Sequence, residues 1–128
     1  NVTPMQTCRA YACGLAVKQK LFVIGGTQDD LLSSHDSCEV YDPDVYCWSF
    51  IANINIPRAL AGVAHACNKI YIFGGKKSCR ERTDKVECYD PELNSWRIVG
   101  SVPNCMGGIQ CCSVNLPREI INTLTKLS

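Results

Sequence analysis

The sequence predicts an all-β chain made of two copies of a four-stranded antiparallel sheet, with a third copy begun and left incomplete. Three recurrences carry that expectation. Lys20-Leu21-Phe22-Val23-Ile24 runs into Gly25-Gly26, as Lys69-Ile70-Tyr71-Ile72-Phe73 runs into Gly74-Gly75. Glu39-Val40-Tyr41-Asp42-Pro43 returns as Glu87-Cys88-Tyr89-Asp90-Pro91, and Trp48 returns as Trp96. Gly25 to Gly74 is an offset of 49, while Tyr41 to Tyr89 and Trp48 to Trp96 are each 48, so the period is near fifty and one loop has changed length.

Within each copy the elements follow from local chemistry. Arg9 to Val17 is a run of small and apolar residues without helical spacing, and Lys18-Gln19-Lys20 is a polar turn before Leu21 to Ile24. Two short apolar runs around a polar turn predict a hairpin. Arg58 to Ala66, Cys67-Asn68-Lys69 and Ile70 to Phe73 repeat it, and the distance from arginine to the first glycine is 16 positions in both copies. The paired glycines mark strand ends where the backbone turns sharply or passes close to another layer. Polar loops follow, Thr27 to Ser37 and Lys76 to Lys85, and these differ most between the copies. Third strands end at Tyr-Asp-Pro, where proline stops the ladder and aspartate favours a turn. Fourth strands carry Trp48 and Trp96. A tyrosine and a tryptophan at fixed spacing read as packing wedges, each burying about 150 to 250 Å².

A third copy opens at Pro103-Asn104-Cys105-Met106-Gly107-Gly108-Ile109, with Ile109 to Leu116 as a first strand. Pro117-Arg118-Glu119 then interrupts the pattern, and Ile120 to Ser128 has the spacing of a turn or two of helix. The expected division is one repeat over residues 1–52, a second over 53–102, and a partial repeat with a closing strand and tail over 103–128.

Composition narrows the functional classes. Of 128 residues, 46% are hydrophobic and 20% charged, a globular balance, and a net charge of +1 offers no field to gather nucleic acid or an anionic membrane. No apolar run approaches the roughly 18 residues that span a bilayer, and the first residues lack the order of a signal peptide. A cytoplasmic setting is expected. The ten cysteines do not recur at equivalent places and form no Cys-x-x-Cys pair. Most are therefore read as small buried hydrophobes in a reducing compartment, with neither disulfide framework nor metal site. Cys79, among Lys77, Arg80 and Arg82, is the candidate for thiol reactivity. His65 lies in an apolar run on a predicted innermost strand and is expected as a hydrogen-bonded core histidine. No Ser-His-Asp constellation and no phosphate-cradling motif are present, so an enzyme is not expected.

The glycine pairs, Gly25-Gly26 and Gly74-Gly75, with Tyr41, Trp48, Tyr89 and Trp96, resemble the kelch repeat, whose period is about fifty residues per propeller blade. The chain looks most like the C-terminal blades of the six-bladed propeller of BTB-kelch proteins, in which a C-terminal strand completes the first blade. Two blades leave two apolar faces in water. The chain is thus expected to belong to a longer protein or to associate with copies of itself, three chains closing one ring in the latter case. The resemblance implies a substrate adaptor of a cullin-RING ubiquitin ligase: a BTB domain upstream binds the cullin, and the propeller captures a protein or peptide. No catalysis and no cofactor are implied. The alternative is a kelch scaffold that binds actin or another cytoskeletal filament.

Propellers of this kind recognise partners through loops between second and third strands and through loops that join blades. Carried onto this sequence, the first set is Thr27, Gln28, Asp29, Asp30 and His35 in one copy, and Lys76, Lys77, Arg80, Glu81 and Arg82 in the other. The second set is Arg9 to Tyr11, Ala59 to Leu60, and Cys105 to Met106. Asp29, Asp30 and Asp36 make the first loop acidic, whereas Lys76, Lys77, Arg80 and Arg82 make the second basic and suited to an acidic segment. Several family members carry arginine where this chain has Tyr11, Leu60 and Met106, which points to a more apolar pocket.

Overall fold

A computed structural model of the chain describes residues 3–28 and 32–102. Its regular structure there is entirely β: β1 (Cys13–Val17), β2 (Lys20–Ile24), β3 (Cys38–Asp42), β4 (Cys47–Ile51), β5 (Gly62–Ala66), β6 (Lys69–Phe73), β7 (Lys85–Asp90) and β8 (Ser95–Ser101). The strands form two antiparallel sheets in chain order, β1-β2-β3-β4 and β5-β6-β7-β8. Each sheet is one blade, as the repeat predicts. The expected closing strand and tail fall outside the described residues.

Register decides which residues meet. Leu15 pairs with Phe22 and Phe22 with Val40, while His65 pairs with Ile70, Ile70 with Tyr89 and Tyr89 with Trp96. Residues opposite one another share a face. One face of the first blade, carrying Cys13, Phe22, Ile24 and Cys38, therefore packs as a unit on Val63, Ile70, Ile72, Tyr89 and Trp96 of the second. The rings of Phe22 and Tyr89 lie 6.3 Å apart across this seam, and Tyr89 and Trp96 lie 5.0 Å apart on one side of it. Of the four expected wedges, Tyr89 and Trp96 lie at this seam, whereas Tyr41 and Trp48, 5.4 Å apart, lie outside it. A second cluster, Tyr71, Val86, Cys88 and Val99, lies on the other face of the second blade.

The hairpin turns differ from expectation in one detail. Lys18-Gln19 and Cys67-Asn68 are two-residue turns at positive φ (48°, 65°, 49° and 61°), so Lys20 and Lys69 belong to the following strands. Such turns match the twist of the strands they join, and they form here without glycine. First strands are also shorter than predicted, because Arg9 to Ala12 and Arg58 to Ala61 are not strand but the segments that enter each blade.

The cysteines need a correction. No disulfide joins any two of the seven described cysteines, but only Cys13, Cys38 and Cys88 are buried, whereas Cys8, Cys47, Cys67 and Cys79 are exposed. Their positions explain it: Cys67 sits in a turn, Cys79 in a loop, and Cys47 at the outer start of β4. Burial pushes the Cys38 thiol up to about 12, only partly offset by hydrogen bonding with the backbone of Gly25 and Ile54. His65 also departs from expectation, being half-buried with an Nε2 that has no hydrogen-bond partner among the described residues.

Candidate partner-binding loops

The loops between second and third strands leave from the glycine pairs, and both pairs adopt positive φ: 63° and 97° at Gly25 and Gly26, 57° and 102° at Gly74 and Gly75. A Cβ on Gly26 would lie 2.9 Å from the Ala10 carbonyl oxygen, and one on Gly75 would lie 2.7 Å from that of Ala59. Glycine is thus required by backbone contact as well as by φ. The contact is used: Ala10 and Thr27 exchange backbone hydrogen bonds of 2.7 and 2.8 Å, as Ala59 and Lys76 do at 2.9 and 2.8 Å. Each second-to-third loop is paired with the segment that enters its own blade.

Beneath each loop lies a buried ion pair that sequence reasoning missed. Arg9 meets Glu39 at 3.0 Å and Arg58 meets Glu87 at 2.6 Å, with all four side chains 0% exposed. In the first blade Arg9 Nη1 donates to the carbonyls of Gly25 and Ser37, both at 2.8 Å, which are the two ends of the loop. In the second, Arg58 Nη1 donates to the carbonyls of Gly74 and Lys85 at 2.9 and 2.7 Å. The glutamates hold the incoming chain. Glu39 accepts from the Gln6 and Thr7 amides, and Glu87 from those of Asn55 and Ile56. Burial lowers the Arg58 pKa, and the Glu87 carboxylate opposes that shift. A planar fork with five donors spread over three nitrogens reaches a carboxylate and two carbonyls in fixed directions, whereas lysine offers three donors on a single nitrogen. The signal was legible in the arginine-to-glycine spacing of 16 and in the glutamate opening each Glu-x-Tyr-Asp-Pro stretch.

The expected recognition residues divide accordingly. Arg9 and Ala59 were placed on the binding surface by resemblance, but Arg9 is buried in its ion pair and Ala59 is 1% exposed. Thr27 is 0% exposed, its hydroxyl donating to the Ser33 carbonyl at 3.0 Å, so its side chain fixes the loop from inside. Gln28, Lys77, Arg80 and Arg82 are exposed, and His35, Leu60 and Lys76 are half-buried. Tyr11 is 56% exposed. Asp29, Asp30, Cys105 and Met106 lie outside the described residues. Lys77 pairs with Glu81 at 3.0 Å, which reduces the positive charge that the sequence alone suggested.

Tyr11 and Leu60 occupy equivalent places with φ of 56° and 54°, unusual for bulky side chains. The Leu60 amide donates to the Tyr11 carbonyl at 3.0 Å, so the two blade-joining loops touch. The other loops touch as well. Ser34 donates through its amide to the Lys77 carbonyl at 3.1 Å and through its hydroxyl to that of Lys76 at 2.8 Å. One continuous loop surface therefore spans both blades. At the opposite end, among the hairpin turns, a cleft of about 460 Å³ opens between the blades, lined by Phe22, Val40, Ile51 and Tyr89 with Lys18 and Glu92 among its polar residues.

Comparison with known proteins agrees with this architecture. The family model described as Kelch motif matches residues 8–55 and 57–103, so the chain belongs to the kelch-repeat family. Kelch-like protein 15 of Danio rerio is 29% identical over 135 residues, covering 100% of this chain and 22% of that protein. Kelch-like protein 22 of Rattus norvegicus is 32% identical over 89% of this chain and 18% of its own length. Kelch-like protein 13 of Mus musculus is 38% identical over 71% and 14%. The chain thus spans about a fifth of the length of these relatives or less. A solved fungal alcohol oxidase of the AA5 family, in complex with copper, superposes with a TM-score of 0.64 over 73% of this chain and 22% of its own. At 19% identity that likeness concerns the fold alone. Among the described residues no group of three or more His, Cys, Asp or Glu is placed to hold a metal ion, and no helix is long and apolar enough to cross a membrane.

Proposed function

We propose that the chain is a protein-interaction module whose loop end captures a protein or peptide, and that it is the substrate-recognition part of a BTB-kelch adaptor in a cullin-RING ubiquitin ligase. On this reading residues 1–52 and 53–102 are its last two blades, and residues 103–128 supply the closing strand. The observation that carries the capture role is the continuous loop surface, on which Tyr11, Leu60, Lys76 and Arg80 stand on a frame fixed by buried ion pairs. Side chains on a rigid frame bind without the further cost of ordering the loop backbone. Arg80 and Lys76 favour an acidic partner segment, with Tyr11 and Leu60 as apolar contacts. The protein works in the cytoplasm, needs no cofactor, and performs no catalysis itself; the cullin is reached through a BTB domain on the longer chain.

Affinity capture of the native protein from cell lysate, followed by mass spectrometry, tests the assignment. Recovery of a cullin together with peptides of a BTB domain from the parent chain is expected. Recovery of actin or other filament proteins without a cullin would replace the adaptor with a cytoskeletal scaffold.

A further inference from the structure

Arg58 is the one described residue whose backbone serves one recognition loop while its side chain serves the other. Its carbonyl accepts the Gly26 amide at 2.9 Å, and its amide donates to the His35 carbonyl at 3.3 Å; both partners belong to the loop of the first blade. Its guanidinium holds Gly74 and Lys85, the two ends of the loop of the second blade, and is held by Glu87. Gly25 is pressed so closely on the Arg58 carbonyl that a Cβ there would collide with it. Arg9, the equivalent residue, clamps only the loop of its own blade among the described contacts.

We propose that Arg58 is a positioning residue that couples the two loops, so that residues 25–28 and 32–37 of one and residues 74–85 of the other order and loosen together. The mechanism is geometric. A guanidinium bonded to Gly74, Lys85 and Glu87 at once restricts the torsions of Arg58 and anchors its Cα, so losing those bonds frees the backbone whose peptide groups bond Gly26 and His35. Ser34, bonded to Lys76 and Lys77, is a second and direct tie between the same loops. The consequence for binding rests on the reading of these loops as the capture surface. A partner that orders one loop then meets the other already ordered, which is positive cooperativity between two contact areas.

The test is residue-resolved amide exchange on the chain without any partner, comparing wild type, Arg58→Lys and Arg9→Lys. Lysine keeps the charge and loses the fork. In Arg58→Lys, exchange at Gly74 and Thr83 of one loop and at Gly26 and Ser34 of the other is expected to rise together by about tenfold, as the loss of one charged hydrogen bond implies. Amides in β2 and β6 should keep their protection. In Arg9→Lys the rise at Gly26 and Ser34 should be accompanied by a smaller rise at Gly74 and Thr83, because coupling through the intact Arg58 is reciprocal, and a rise confined to the first loop would overturn it. A rise at Gly74 and Thr83 alone, an equal rise at every amide including the strands, or no rise would each overturn the coupling. Titration with an octaglutamate peptide separates this proposal from the functional one. Failure of the wild-type chain to bind that peptide would remove the acidic partner and leave the exchange result standing.

Discussion

The two blades share a plan, and set side by side they show how much of a blade is decided by its neighbours. Leu21 and Ile70 hold the same place in the repeat, yet Leu21 is 40% exposed and Ile70 is 1% exposed. Tyr41 is half-buried while Tyr89 is 3% exposed. Nothing in the local sequence separates the members of each pair. The difference is that the second blade has the first packed against this face, and the described part of the chain places no blade on the equivalent face of the first. The ion pairs do not follow that rule, since all four side chains are 0% exposed in the first blade as in the second. A kelch blade is thus fixed internally by arginine and glutamate and completed externally by the next blade.

Substitutions at equivalent positions sharpen the comparison. The largest effect is expected for Glu87→Ala, which leaves a buried guanidinium uncompensated, at about 3 to 5 kcal/mol. Glu39→Ala should cost a similar amount in urea unfolding, and a much smaller loss there would break the claim that the clamps are independent of neighbours. Next comes Ile70→Ala, at about 2 to 5 kcal/mol for a buried aliphatic, against a loss under about 1 kcal/mol for Leu21→Ala at its exposed twin. Equal losses would show that the first blade's face is covered in solution.

Smaller effects follow from titration and thiol chemistry. The Asp44 amide and the Lys20 ammonium, 3.1 Å away, hold the Asp42 carboxyl below its usual pKa. A group depressed on folding adds stability above its unfolded pKa and loses it as pH falls through the folded value. Asp42→Asn should therefore lower stability slightly at neutral pH, with the difference from wild type shrinking as pH falls below about 4, as unfolding at several pH values would show. Lys69 and Asp90, the equivalent residues, form no ion pair with each other among the described contacts. Alkylation at neutral pH should label Cys67 and Cys79 readily and Cys13, Cys38 and Cys88 slowly, which peptide mapping reads directly.

Much of this was legible in the sequence, because the repeat compares the chain with itself. The glycine pairs, Tyr89 and Trp96 were placed correctly because backbone geometry and aromatic packing leave fixed spacings. Arg9 and Arg58 were not read as clamps, since their spacing to glycine looked like strand length and its recurrence was not connected with the glutamate of each Glu-x-Tyr-Asp-Pro stretch. Thr27 was assigned to the surface because a polar residue in a loop is ordinarily exposed, and only the bridge to Ala10 takes it inside. Exposure in the first blade was illegible in principle, because it depends on what lies across its face. The charge of the basic loop was overstated because Glu81 folds back on Lys77 at a separation only the turn creates.

On the proposed function, partners are taken by the loop end and not by the hairpin-turn end. The most direct measurement is quantitative affinity capture from lysate with three forms of the protein. They are wild type, a loop variant with Lys76, Lys77, Arg80 and Arg82 changed to alanine, and a turn-end variant with Lys18 and Glu92 changed to alanine. The loop variant is expected to lose the wild-type partners and the turn-end variant to keep them. Retention by the loop variant together with loss from the turn-end variant would contradict the claim and move recognition to the cleft between the blades.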